Sequence, residues 1–232
     1  METIIEGVRE AFRLLLRGDS EVYSTAARSI VISGLATVIG LAAGGALGMF
    51  LGLQSFPGRG LVLALVNTGM ALPPVVVGLV VFLLLSREGP AGRLGLLFTP
   101  AAMVIAQAVL VTPIVAGLTA TGVQAIRPQL RWQILALGAS RWQYAWLLLR
   151  EARLTFMAAA MLAFGMAIHE VGASLMVGGN IQGETRVLTT SIVLETMRGN
   201  FETAIALSFV LLGLMYLTIL GLTLVQQRRP AP

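Results

Sequence analysis

The 232-residue chain has no cysteine, no lysine and a single histidine, His169, and only 12% of its residues are charged. Each scarcity excludes something. Without cysteine there is no disulfide, no thiolate metal site and no haem attachment, and the redox compartment leaves no mark on the sequence. One histidine argues against a metalloenzyme. Without lysine, a phosphate loop of the G-x-x-x-x-G-K-[ST] type cannot be built, so ATP hydrolysis would have to come from another subunit. Soluble domains carry about a quarter charged residues, whereas 56% of this chain is hydrophobic. The composition is that of an integral membrane protein. Its formal charge of +5 comes from arginine alone. In a membrane chain such an excess sets orientation rather than nucleic-acid binding, and no DNA or RNA signature is present.

A membrane-crossing helix needs about 20 predominantly apolar residues. Five segments meet that length: 25–53, 61–86, 97–122, 155–178 and 203–225. The loop 123–154 carries Arg127, Arg131, Arg141, Arg150 and Arg153, and the tail 226–232 carries Arg228 and Arg229. Both are therefore expected in the cytoplasm, which places the N-terminus outside. Arg9, Arg13, Arg17 and Arg28 run against that bias. The opening METIIEGVREAFRLLLRG is charged and amphipathic and does not read as a cleaved signal. Ile4, Ile5, Val8, Phe12 and Leu15 fall near one face, which predicts an interfacial helix within residues 1–24. Residues 25–225 are then one transmembrane domain.

Gly40, Gly44, Gly48 and Gly52 recur every four residues in the first span and line one helix face with a groove for a closely approaching backbone, in this chain or in a second copy. In the second span, Pro73 and Pro74 remove two amide donors. Such a defect survives at membrane depth only against protein or a water-filled path. Asn67, Thr68, Pro73 and Pro74 are accordingly candidates for a kinked, pathway-lining helix; the alternative is a kink that serves packing.

The stretch ALGASRWQYAWLLLREARLTF, residues 136–156, reads as helix, tight turn, helix. Pro128 suits the first turn of a helix over 128–137, Gly138 a left-handed cap, and Ser140 with Gln143 a capping box. Trp142, Trp146 and Leu149 then form an aromatic and apolar stripe between Arg141, Arg150 and Arg153. Too polar to cross the bilayer and too apolar to float free, this helix is expected to lie along the cytoplasmic face with its turn exposed. That is the shape of a docking element or of a plain interfacial helix.

At LALGAS the sequence resembles the Glu-Ala-Ala loop of permease subunits of binding-protein-dependent ABC importers, whose glycine marks a coupling helix fitting a cleft on the ATPase. The resemblance extends from FPGRGLVLALVNTGMALPPVVVGLVVFLLLS to GGNIQGETRVLTTSIVLET, stretches similar to the oxoanion group, its tungstate branch in particular, with molybdate and sulfate permeases as relatives. It implies an all-α integral membrane protein with the type I importer permease fold: about five transmembrane helices, an N-terminal interfacial helix and a cytoplasmic coupling helix. It also implies a non-catalytic subunit without a cofactor of its own, in a prokaryotic plasma membrane. Its partners would be a pair of ABC ATPases that hydrolyse ATP, an external substrate-binding protein and a second permease copy in a homodimer. Leu137, Gly138, Ala139, Ser140, Arg141 and Trp142 would form the ATPase contact. The chain departs from the pattern at three places. Trp132, Gln133 and Ile134 stand where the family has Glu-Ala-Ala, Glu151 where a proline usually closes the loop, and Arg127 where an acidic cap often precedes Pro128.

Glu170 is the one carboxylate at depth in the fourth span, and an intramembrane acid is by default a functional candidate. A charge there would repel a dianion, which favours a protonated or hydrogen-bonded Glu170 at a helix interface. HEVGAS resembles the family's Gly-Glu-Phe-Gly stretch, with His169 as the departure. Outside, the loop 178–202 offers Arg186 with the hydroxyls of Thr185, Thr189, Thr190 and Ser191: a dock for the binding protein, an outer gate, or a solvated connection. Two other classes compete. A proton-coupled secondary transporter would use Glu170 as its relay, but the five spans show no paired repeat. An intramembrane hydrolase would need Ser174 beside His169, five residues away and far around the helix.

Overall fold

The computed structural model describes residues 6, 7, 9, 10, 13 and 19–227. The proposed interfacial segment within 1–24 and the tail arginines Arg228 and Arg229 therefore lie largely outside the described residues. The elements are α1 (Ser20–Leu53), α2 (Arg59–Met70), α3 (Pro74–Leu85), a short 3-10 turn (Gly92–Leu94), α4 (Pro100–Gln124), α5 (Pro128–Ala136), α6 (Arg141–Glu151), α7 (Arg153–Ile168), α8 (Gly172–Gly178), α9 (Leu188–Met197) and α10 (Phe201–Gln227). Three of them, α1, α4 and α10, are long and apolar enough to cross a membrane unaided. The first begins ahead of the hydropathy boundary at 25 because Asp19 caps it, accepting from the amides of Glu21 at 2.9 Å and Val22 at 3.1 Å.

The other two expected crossings are not continuous helices. In 61–86, α2 and α3 meet at 102°, a break where a kink was expected. A residue preceding proline is driven to extended backbone, so Pro73 sits at ψ 127° and Pro74 opens a new helix at its first turn. Within 155–178 the helix stops at Ile168 and restarts at Gly172, leaving His169, Glu170 and Val171 between α7 and α8.

Buried α4 is the centre of the bundle, and α1 lies on it through the glycine stripe. A β-carbon on Gly44 would stand 2.5 Å from the Thr112 carbonyl oxygen, and one on Gly48 2.5 Å from that of Ala116. Gly40 faces Val111 and Gly52 faces Val123. The groove is filled within the same chain. Residue numbers rise together along both helices, so α1 and α4 are parallel and the chain must recross between them.

The broken pair α2–α3 makes that return, and α7 with α8 makes the one that follows α4. Val66 of α2 packs with Leu51 and Ala120 near one end of the bundle, and Leu85 of α3 with Ala102 and Met103 near the other. Antiparallel to α4, α7 sets Thr155 against Gly122 and Ala163 and Ala167 beside Val111 and Val115. Past its break, Val177 of α8 accepts from the Phe98 amide at 2.8 Å. Asp19, Glu21 and Val22 at the start of α1 share a cavity with Thr203 and Leu207 at the start of α10, while a second groove between the same two helices reaches on to Ile30 and Thr218, so these two are also parallel. The path thus runs along the bundle five times, three of the passes being helices long and apolar enough to cross a membrane unaided, and the α5–α6 hairpin shares a side with the Gln227 end of α10.

Candidate functional site

The α5–α6 hairpin is built from local signals. Gly138 takes the left-handed conformation at φ 76°, and the Gly138 and Ala139 amides donate back to the carbonyls of Leu135 at 3.0 Å and Ile134 at 3.4 Å. This paired closure ends α5. Ser140 then starts α6: its amide donates to Gln143 Oε1 at 2.8 Å and its hydroxyl accepts the Gln143 amide at 3.4 Å. Ile134 and Leu148 turn inward and pack with Val123, Ile126 and Ala152, with Met49 and Leu53 of α1 against them. Arg131 donates to the Val123 carbonyl at the end of α4, while Met49 and Leu53 bring the end of α1 against the hairpin. The hairpin is therefore fastened to the ends of two parallel spans. Its outer surface carries Leu137, 88% exposed, and Trp142, 87% exposed.

A second constellation lies at the two breaks. A β-carbon on Gly78 would stand 2.6 Å from Cα of Ala173, and one on Gly172 2.7 Å from the Val75 side chain. Hence α3 and α8, the half-helices that follow the breaks, meet backbone to backbone. Glu170, 4% exposed, caps α8. Its carboxylate accepts the amides of Ala173 at 2.7 Å and Ser174 at 2.8 Å and the Ser174 hydroxyl at 2.9 Å. Gln107 of α4 donates to Ser174 Oγ at 3.2 Å, and Thr189 of α9 donates to the Glu170 carbonyl at 3.1 Å. Four helices thus converge on the interruption of the fourth span. The carboxylate works as a helix cap, replacing the backbone acceptors lost at the break.

The segment 178–202 is not the open, hydroxyl-lined loop expected from the sequence. It turns inward and carries α9. The Leu188 amide donates to Ser29 Oγ at 2.9 Å, well inside α1, and α9 then returns to the end of the bundle where α1 begins, where Glu195 and Arg198 line a cavity of about 270 Å³ with Asp19 and Glu21. Thr185, Thr189, Thr190 and Ser191 are buried. Thr185 donates to the Gly178 carbonyl at 2.5 Å and Thr190 to that of Val187 at 3.0 Å, so these hydroxyls hold the fold rather than an external ligand. Arg186 reaches the same end and pairs with Glu21 at 3.1 Å.

Residues 44–229, most of the chain, match the family profile of binding-protein-dependent transport system inner membrane components. The chain belongs to that family. It is 41% identical over 216 residues to the tungstate uptake system permease protein of Peptoclostridium acidaminophilum, covering 93% of this chain and 95% of the relative. A probable anion ABC transporter permease of Haloferax volcanii is 42% identical, covering 83% of this chain and 85% of that one. Permeases named for molybdenum and sulfate transport match at 28%. Among solved structures, an amino acid ABC transporter superposes with a TM-score of 0.67 over 94% of this chain and 98% of its own, at 17% identity, a likeness of fold.

In this ABC permease the residues singled out by sequence fall into separate places. Leu137 to Trp142 form one exposed turn. Asn67, Thr68 and Pro73 are exposed beside the second-span break, with Thr68 folded onto the Ala64 carbonyl of its own helix at 2.9 Å. His169 is exposed and Glu170 buried, so the two face apart, and Nδ1 of His169 contacts the Gly165 carbonyl. The oxygen of Ser174 is engaged by Glu170 and Gln107, not by His169. Sequence reasoning missed Gln107, Thr189 as a partner of the break, and Leu148 as the inward anchor of α6. An acid three and four residues before Ala173 and Ser174 is a capping signal that pointed to the restart of the helix at Gly172.

Proposed function

We propose that this chain is the membrane permease of an ATP-driven oxoanion importer, with tungstate as its substrate. The observation that carries the reading is the exposed, glycine-centred hairpin fastened to the ends of α1 and α4 in a chain that aligns with a tungstate uptake permease over nearly its whole length. Permeases of ABC importers work with ATPase and substrate-binding-protein partners. Here Leu137, Gly138, Ala139, Ser140, Arg141 and Trp142 dock on the ATPase, which hydrolyses ATP, and two copies of the permease stand on an ATPase pair in the prokaryotic plasma membrane. The hairpin and the C-terminal end of α10 face the cytoplasm, and the start of α1 faces outside. Closure of the ATPases pushes the hairpins, and Arg131 and the Val123–Leu148 contacts carry the push into α4 and α1.

The pathway runs past the broken second span at Asn67, Thr68, Pro73 and Pro74. The spans hold no arginine near their centres, so the path passes an anion selected elsewhere, by the binding protein docking around Arg186 and Glu21. A substrate biases the alternation only through different affinity for its two states. The three hydrogen bonds to the Glu170 carboxylate favour a fixed cap over a proton relay and weigh against secondary transport.

The test is uptake into proteoliposomes holding the permease, its ATPase and its binding protein. Tungstate uptake should require ATP and be outcompeted poorly by sulfate. Preferred uptake of molybdate or sulfate would reassign the anion within the group. Uptake driven by a pH gradient without the ATPase would overturn the proposal.

A further inference from the structure

Resting on the docking reading above, we infer that this permease grips its ATPase through an aromatic knuckle ringed by arginine, and that the cleft receiving it has an apolar floor and an acidic rim. Residues two apart on a helix point about 160° away from each other. On α5 the pair is Trp132, 71% exposed, and Ile134, buried; on α6 it is Trp146, 65% exposed, and Leu148, fully buried. Since Ile134 and Leu148 face the ends of the spans, both tryptophans point away from the bundle, on the side where Leu137 and Trp142 stand free. The bilayer surrounds the bundle from its flanks, so a soluble protein, not lipid, fits this surface.

Charge identifies that protein's chemistry. Between residues 123 and 154 stand Arg127, Arg131, Arg141, Arg150 and Arg153 against one acid, Glu151. Arg127, Arg141 and Arg150 are exposed, and Arg127 leaves α5 without a side-chain cap. No carboxylate of the hairpin's own could meet a basic cleft beyond Glu151. Buried aromatic anchors hold such interfaces, while rim charges set encounter rate and are screened by salt.

A chain without cysteine permits a clean test. Leu137→Cys carrying a benzophenone should, in the assembled importer, cross-link to an ATPase segment of apolar residues flanked by Asp or Glu; Leu217→Cys on α10 should not. The ATPase should stay on the purified wild-type permease in 1 M NaCl. Trp142→Ala with Trp146→Ala should lower its retention at least tenfold at any salt, with the permease still monodisperse, and Arg141→Gln with Arg150→Gln should mainly slow association. Release of the ATPase by salt together with full retention by the tryptophan variant would overturn the inference while leaving docking intact, as would cross-linking to a basic cleft. Labelling of lipid alone would assign the surface to the bilayer and overturn it. Failure of the wild type to retain any ATPase at low salt would overturn the docking reading and this inference with it.

Discussion

Glu170 and Ser174 share one oxygen twice: Glu170 Oε2 accepts the Ser174 amide at 2.8 Å and the Ser174 hydroxyl at 2.9 Å, while Oε1 takes the Ala173 amide. In a hydrocarbon surrounding no water replaces such partners. Glu170→Ala should therefore orphan two buried amides, each costing about 1–3 kcal/mol, and lower the melting temperature in detergent markedly. Glu170→Gln keeps one acceptor oxygen and should fall between alanine and wild type. If folded Glu170→Gln transports with an unaltered pH profile, as expected, a proton-relay role for this carboxylate is excluded.

The glycine stripe makes opposite forecasts at neighbouring positions. Gly44→Ala or Gly48→Ala drives a methyl group into a carbonyl oxygen of α4 and should destabilise by about 1–3 kcal/mol. Gly34→Ala meets nothing within 4 Å and should stabilise by about 0.5–1 kcal/mol through helix propensity. Thermal unfolding of the three variants in one detergent checks the contrast. Equal effects would mean that α1 does not lie on α4 as described.

At the hairpin, Gly138→Ala puts a side chain at φ 76°, costing about 1–2 kcal/mol, and Ser140→Ala removes a cap worth about 1 kcal/mol. Both changes act on the turn alone, since a β-carbon at Gly138 meets nothing within 4 Å. Global stability should fall by no more than these local costs, with the permease still folded, while ATP-driven uptake falls several-fold. Uptake at the wild-type rate in both variants would remove the turn from the coupling route.

The proline pair can be tested by restoring what it lacks. Pro73→Ala with Pro74→Ala returns two amide donors and lets α2 continue toward α3, erasing the 102° break. Uptake should drop sharply with the ATPase still bound. Wild-type uptake in the straightened variant would make the break a matter of packing.

Features written within a few residues were legible in advance. The left-handed Gly138, the Ser140–Gln143 box and Pro128 at a helix start all emerged from local backbone chemistry and recur in the structure. The stripe of Trp142 and Trp146 reads as an apolar face, but Leu148 is the residue that packs inward, because helical periodicity does not say which of two apolar faces meets the bundle. Pro73 and Pro74 marked a defect whose size only the new helix at Pro74 revealed.

The sequence by itself determined the apolar, membrane-type composition, the approximate positions of the apolar segments, the turn at Gly138 and the family, since these depend on composition and on contacts between near neighbours. Tertiary structure alone decided that the glycine groove is filled by α4 of the same chain, that Glu170 caps a half-helix, and that Thr185, Thr189 and Thr190 turn inward. Those outcomes rest on partners far apart in the chain, such as Gln107 with Ser174 and Ser29 with Leu188. In an apolar medium every polar group must find such a partner inside the protein, and only the packed arrangement of helices brings the two together.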